Sequence, residues 1–78
     1  MRLDELSHRG HAVVVSVGGS GPERRRIMDL GLLPGVEITA QLSNPLGDPM
    51  AYLVRGCLIA LRRSQARHIQ VRVEQAAP

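Results

Sequence analysis

A small, mostly β domain, built as a five-stranded barrel with a short inserted helix, is the fold class that this sequence predicts. Five separate stretches alternate apolar and polar residues with period two, the pattern of strands that bury one face. A helix with recognisable start and stop signals falls between the first and second of them. The chain has 78 residues, and so many strands in so short a chain leave little room for a flat sheet with two open edges, which closure into a barrel would hide. This length fits one domain over residues 1–78, with its core between about residues 3 and 74. Such a domain buries only about 60% of its unfolded surface, so its stability rests on few apolar side chains.

The elements follow in order. Arg2 to Ser7 reads as a single helical turn that places Leu3 and Leu6 against the barrel. The first strand is expected over Val13 to Val17, with Val13, Val15 and Val17 facing inward. Gly18-Gly19-Ser20-Gly21 forms a loop, and Ser20 or Gly21 is placed to cap the helix Pro22 to Leu30, whose first-turn proline lacks only an N–H that the helix does not use. Ile27 and Leu30 are expected in the core, and Gly31 is expected to stop the helix with a positive φ before Pro34. Val36 to Ser43 has apolar residues at every even position and polar ones at every odd position. Met50 to Arg55 and Cys57 to Arg62 flank Gly56 as two further strands, and Ile69 to Glu74 supplies the fifth after a short turn, Ser64 to His68.

Composition limits function. Ten arginines face seven acids, there is no lysine, and the net charge of +3 is mild. A small basic barrel that binds nucleic acid is one alternative reading. There is no Phe or Trp and a single Tyr, so the aromatic platforms that stack bases or grip Pro-rich peptides cannot be built, and no nucleic-acid partner is expected. The lone Cys57 closes no intrachain disulfide, which suits a reducing compartment. No apolar run approaches the ~20 residues that span a bilayer, and Met1 to Leu6 holds two acids and no apolar segment, so neither membrane insertion nor a secretory signal is expected.

No catalytic constellation is legible. Cys57 shares strand parity with Ile59 and Leu61 and is read as a small buried hydrophobe. The glycines at 18, 19 and 21 lack the Gly-Lys-Ser/Thr that would hold a triphosphate. His8, His11 and His68 are the candidate metal ligands; too few for a closed structural zinc site, they suit a weakly bound zinc or iron ion that bridges two molecules into a homodimer. A metal-binding or metal-sensing protein is thus a second alternative, and no cofactor is required. Arg24-Arg25-Arg26 spreads around a helix at ~100° per residue and reads first as a solvated face.

The order of motifs carries a resemblance. Arg25-Arg26-Ile27-Met28-Asp29-Leu30-Gly31-Leu32-Leu33-Pro34-Gly35-Val36 resembles the "R-R-L-x-D-L-G-L-x-P-G" segment of the FeoA family. Leu46-Gly47-Asp48-Pro49 is similar to its "G-D-P" turn, and Arg55-Gly56, Ile59 to Arg62 and Ala66 to Val71 are similar to its closing segment. The resemblance implies an SH3-like barrel and a non-catalytic cytoplasmic accessory of ferrous iron uptake. Its partner would be FeoB, a membrane transporter with a cytosolic GTP-binding domain, and through that partner it would sit peripheral to the inner membrane. Similar barrels occur in iron-dependent repressors, but this chain has no helix-turn-helix. Arg24, Arg25, Leu32 and Leu46 are the residues expected at the docking surface, two apolar anchors on rigid turns with a basic rim.

Overall fold

The computed structural model describes residues 1–7, 9–41 and 49–74. After a single 3-10 turn at Leu3–Glu5 come β1 (His11–Val17), α1 (Gly21–Asp29), β2 (Glu37–Ala40), β3 (Met50–Val54), β4 (Cys57–Leu61), α2 (Arg63–Ala66) and β5 (Ile69–Val73). The five strands form one antiparallel sheet in the order β4-β3-β2-β1-β5, with α1 inserted between β1 and β2 as the sequence predicts. Among the described residues no helix is long and apolar enough to cross a membrane.

Pairing stops short of a closed barrel. β4 and β5 are the two edges of the ladder and do not pair with each other. β5 is sealed along its outer side by the start of the chain: the Val71 N–H donates to the Met1 carbonyl at 2.8 Å, the Met1 ammonium donates to the Val71 carbonyl at 3.1 Å, and Arg2 bridges Gln70. This places the 3-10 turn so that Leu3 and Leu6 cap the core, as expected from their spacing. No such strand runs along β4 among the described residues, and Leu58 on that edge is 63% exposed.

Parity fills the core. Ala12 and Val14 of β1, Ile38 and Ala40 of β2, Tyr52 and Val54 of β3, Leu61 of β4, and Ile69 and Val71 of β5 are all buried. The register puts them opposite one another, as in the pairs Ile38↔Val54, Ala40↔Tyr52 and Val14↔Val71. In β1 the inward set differs from the expected Val13, Val15 and Val17. The β1–β5 register shifts between Val14 and Ser16, a β-bulge that changes which parity faces inward. Ala12 and Val14 therefore point in before it and Val17 after it, while Val15 is 51% exposed.

Two tight turns depend on positive φ. Arg55 (φ 53) and Gly56 (φ 80) form a two-residue hairpin loop that pairs Val54 with Cys57, the geometry in which both central residues are left-handed. Gly31 (φ 101) follows α1 as expected, and its N–H donates to the Met28 carbonyl at 2.9 Å. The reversal at Gly31 exchanges the roles of two leucines. Leu30, expected in the core, is the C-terminal cap of α1 and is 43% exposed. Leu32, expected at the docking surface, is swung inward and is 0% exposed. Leu33 stays outside.

Two further expectations are corrected. Cys57 has the predicted inward parity, but it lies at the first position of an edge strand, beyond the reach of the core, and is exposed. The turn before β5 begins at Arg63 and not at Ser64, because the Gln65 side chain accepts from the Arg62 N–H at 3.0 Å and fixes Arg62 as the cap.

Substituting Leu32 by Ala should destabilise the domain by about 2–5 kcal/mol, whereas Leu30→Ala should change the urea midpoint little. Gly31→Val should cost about 1–2 kcal/mol through backbone strain. An unchanged urea midpoint for either Leu32→Ala or Gly31→Val would contradict this account of the α1–β2 turn.

Candidate functional site

Side chains that do not serve the core collect in two places. One is the outward face of the sheet, where alternation leaves His11 of β1 opposite Thr39 of β2, and Thr39 opposite Leu53 of β3. Leu53 in turn pairs with Leu58 of β4, and both are exposed. The His11 ring is fixed from one side, with Nδ1 lying 2.8 Å from Thr39 Oγ1. Its other nitrogen, Nε2, lies 3.9 Å from a Glu37 carboxylate oxygen. The β1–β5 ladder brings a third group in: the Glu74 N–H donates to the His11 carbonyl at 3.0 Å. As a result one ligand atom each from His11, Glu37 and Glu74 lies within 4.8 Å of the others. Beside them opens a groove of ≈ 450 Å³ whose walls include His11, Glu37, Thr39, Leu53 and Arg55.

This cluster only partly coincides with the ligands expected from the sequence. His11 belongs to it. His68 does not: its carbonyl accepts from the Gly18 N–H at 2.6 Å, just beyond the end of β1 at which Val17 pairs with Ile69. The length of β1, roughly 20 Å at ~3.3 Å per residue, thus separates the two histidines. His68 instead lines a cleft of ≈ 150 Å³ with Glu23 and Arg24. His8 lies outside the described residues. Glu37 and Glu74 went unnoticed as ligands because 37 residues separate them and either reads as an ordinary solvated carboxylate. Their signal was present in the strand parity of Glu37 with Thr39, but it needed the register of β1 against both neighbours to be used. One imidazole nitrogen and two carboxylate oxygens form a donor set that suits zinc and ferrous ions.

The second place is the end of α1. Arg26 and Leu30 are four residues apart and share a helix face. With Pro49, Ala60, Arg62 and Gln65 they line a groove of ≈ 430 Å³ beside the start of β3. The apolar Leu30 is there flanked by two guanidinium groups. Arg24 and Arg25, expected at a docking surface, are both exposed, but they line a different hollow with Gly21 and Pro22. Arg24 is also tied back to the sheet, its Nε donating to the Val17 carbonyl at 3.0 Å. Leu46, the other expected anchor, lies outside the described residues.

A five-stranded antiparallel sheet with one inserted helix, carrying its polar groups on an outward face and its exposed leucines at a rim, defines a small SH3-like domain. The family model for the FeoA domain matches residues 1–73. The chain belongs to the FeoA domain family. It is 41% identical over 71 residues to the Fe(2+) transport protein A/Fe(2+) transporter FeoB fusion protein of Porphyromonas gingivalis, covering 91% of this chain but only 8% of the fusion protein. The NMR structure of a FeoA-like protein from Clostridium acetobutylicum superposes with a TM-score of 0.89 at 33% identity, over 100% of this chain and 91% of that one. The crystal structure of FeoA from Stenotrophomonas maltophilia, described as a prokaryotic SH3 domain protein complexed with zinc, superposes with a TM-score of 0.82 at 33% identity, over 92% and 89% of the two chains. The family and the fusion relative link the chain to ferrous iron transport.

If Thr39 holds the His11 ring, Thr39→Val should redistribute the ring between its two tautomers, as read from the nitrogen shifts of His11 by NMR. The same change should lower stability by about 0.5–1.5 kcal/mol, the usual net worth of such a hydrogen bond. Identical nitrogen shifts in the variant would show that the contact does not orient the ring.

Proposed function

We propose that this chain is a non-catalytic accessory module of ferrous iron uptake. It acts in the cytoplasm by docking on a FeoB-type membrane transporter and supporting or regulating that transporter's work. One observation carries this reading: a relative of 41% identity is joined to the transporter in a single polypeptide, where the matched segment is a small appendage. Covalent linkage supplies a high effective concentration to two parts that work together. Docking without that linkage would need the same proximity from a surface of the domain itself.

The groove at the end of α1 is the surface best suited to this. Leu30 offers an apolar anchor, and Arg26 and Arg62 offer a basic rim that would speed encounter with an acidic face and weaken with salt. Leu33, three residues after Leu30 on the α1–β2 turn, is a second exposed leucine. Leu32 contributes indirectly, by holding that turn to the core. One module of this size offers little more than ~800 Å² per side, so the contact would be transient.

The test is reconstitution of a FeoB-type transporter with and without the chain, measuring GTP hydrolysis and ferrous ion flux. Capture of the transporter from membranes should survive nuclease treatment; loss of capture with nuclease would favour a nucleic-acid partner instead. Leu30→Glu and Leu33→Glu should each weaken capture about tenfold or more, the loss of roughly 1.4 kcal/mol of binding, while leaving the urea midpoint in place. Wild-type capture by both folded variants would exclude this surface.

A further inference from the structure

We infer that His11, Glu37 and Glu74 form a binding site for one first-row divalent cation per chain, complete within a single copy. Three strands in a row supply the ligands: Glu37 from β2, His11 from β1, and Glu74 from the residue that follows β5. Their ligand atoms all lie within 4.8 Å of one another. Nitrogen and oxygen donors sit about 2.0–2.2 Å from such an ion, so donors at tetrahedral positions around it are about 3.3–3.6 Å apart. Small rotations of two glutamate side chains close the difference, and the backbone that carries them is already pinned by the β1–β2 and β1–β5 ladders.

A separate feature points the imidazole at the site. Thr39 is not a ligand, yet its hydroxyl engages Nδ1 at 2.8 Å, which leaves Nε2 as the free nitrogen, and Nε2 is the atom that faces Glu37. Histidines that bind metals are oriented in this way by a partner on the other ring nitrogen, which fixes both tautomer and ring plane. In the tautomer whose Nδ1–H donates to Thr39, Nε2 carries the free lone pair, 3.9 Å from a Glu37 carboxylate oxygen. Two carboxylates also match the charge of a divalent ion. With one imidazole they favour zinc, ferrous or manganous ions over the soft ions that seek thiolates. The remaining coordination positions would open on the groove beside Leu53 and Arg55, where water or a partner's oxygen has room to enter. This arrangement replaces the expected bridge between molecules, since its ligands need no second chain. Its groove shares no lining residue with the one at the end of α1 that is proposed for docking.

The experiment uses the full chain carrying Cys57→Ser, so that the exposed thiol offers no competing ligand. Titration with Mn²⁺, followed by the loss of amide signals in ¹H–¹⁵N spectra, should broaden His11, Glu37, Thr39 and Glu74 first and leave His68 sharp. Calorimetry with Zn²⁺ should give one ion per chain, with sedimentation showing a monomer throughout. Glu37→Gln and Glu74→Gln, both conservative changes away from the core, should each reduce affinity about tenfold or more. Thr39→Val should reduce it within the 10–100-fold range that loss of an orienting partner produces. Broadening centred on His8 or His68, a metal-bridged dimer, or unaltered affinity in both glutamine variants would overturn the site. So would the absence of binding at millimolar Zn²⁺.

Discussion

β1 is hydrogen-bonded along both sides, to β2 and to β5, and among the described residues it carries the one register shift in the sheet, the bulge between Val14 and Ser16. Everything else takes its position from this strand. Its inward residues meet those of both neighbours in the core, and its outward residue His11 is the point on which Thr39, Glu37 and Glu74 converge. Its far end receives the His68 carbonyl on Gly18 and the Arg24 guanidinium on Val17, which fixes the loop into α1. A core this small has no spare layer behind it. A slip of one residue in β1 would therefore expose the core and scatter the outward cluster in the same event.

The two outer surfaces follow from different physics. The cluster on the sheet is a product of register: its members are far apart in sequence and adjacent because strands pair. The groove at the end of α1 is a product of a turn. Gly31 reverses the chain so sharply that the apolar residue before it is left outside and the one after it is taken in. The two surfaces share no lining residue: one is rich in polar groups, and the other sets Leu30 beside Arg26 and Arg62.

Much of this was legible in the residues. The five alternating stretches gave all five strands to within two residues at most ends, and Pro22 and Gly31 bracketed the helix. The failures have a common origin in features that act across strands. Val13-Val14-Val15 is apolar throughout, so the run hides its own phase, and only the bulge against β5 decides which valines are buried. Leu30, Leu32 and Leu33 are chemically equivalent in sequence; the φ of Gly31 sorts them, and sequence locates that turn without giving the direction in which the chain leaves it. Cys57 has the parity of a core residue, but parity is silent about distance from the rim. The metal-ligand reading found His11 because histidine is conspicuous, and missed two glutamates whose meaning arises only from pairing.

Among the described residues one edge of the sheet is covered at Gln70 and Val71 by Met1 and Arg2 and the other has no strand beside it, and this asymmetry bears on how the domain could assemble. A strand ladder with two free sides grows without end, whereas one that ends at Met1 and Arg2 on the β5 side has a single side to offer. Two copies meeting through β4 would consume both open sides at once, related by a two-fold axis, and leave nothing for a third. The few backbone contacts of Met1 and Arg2 against Val71 and Gln70 would thus act as a stopper on that side, so that edge-to-edge association could proceed only through β4.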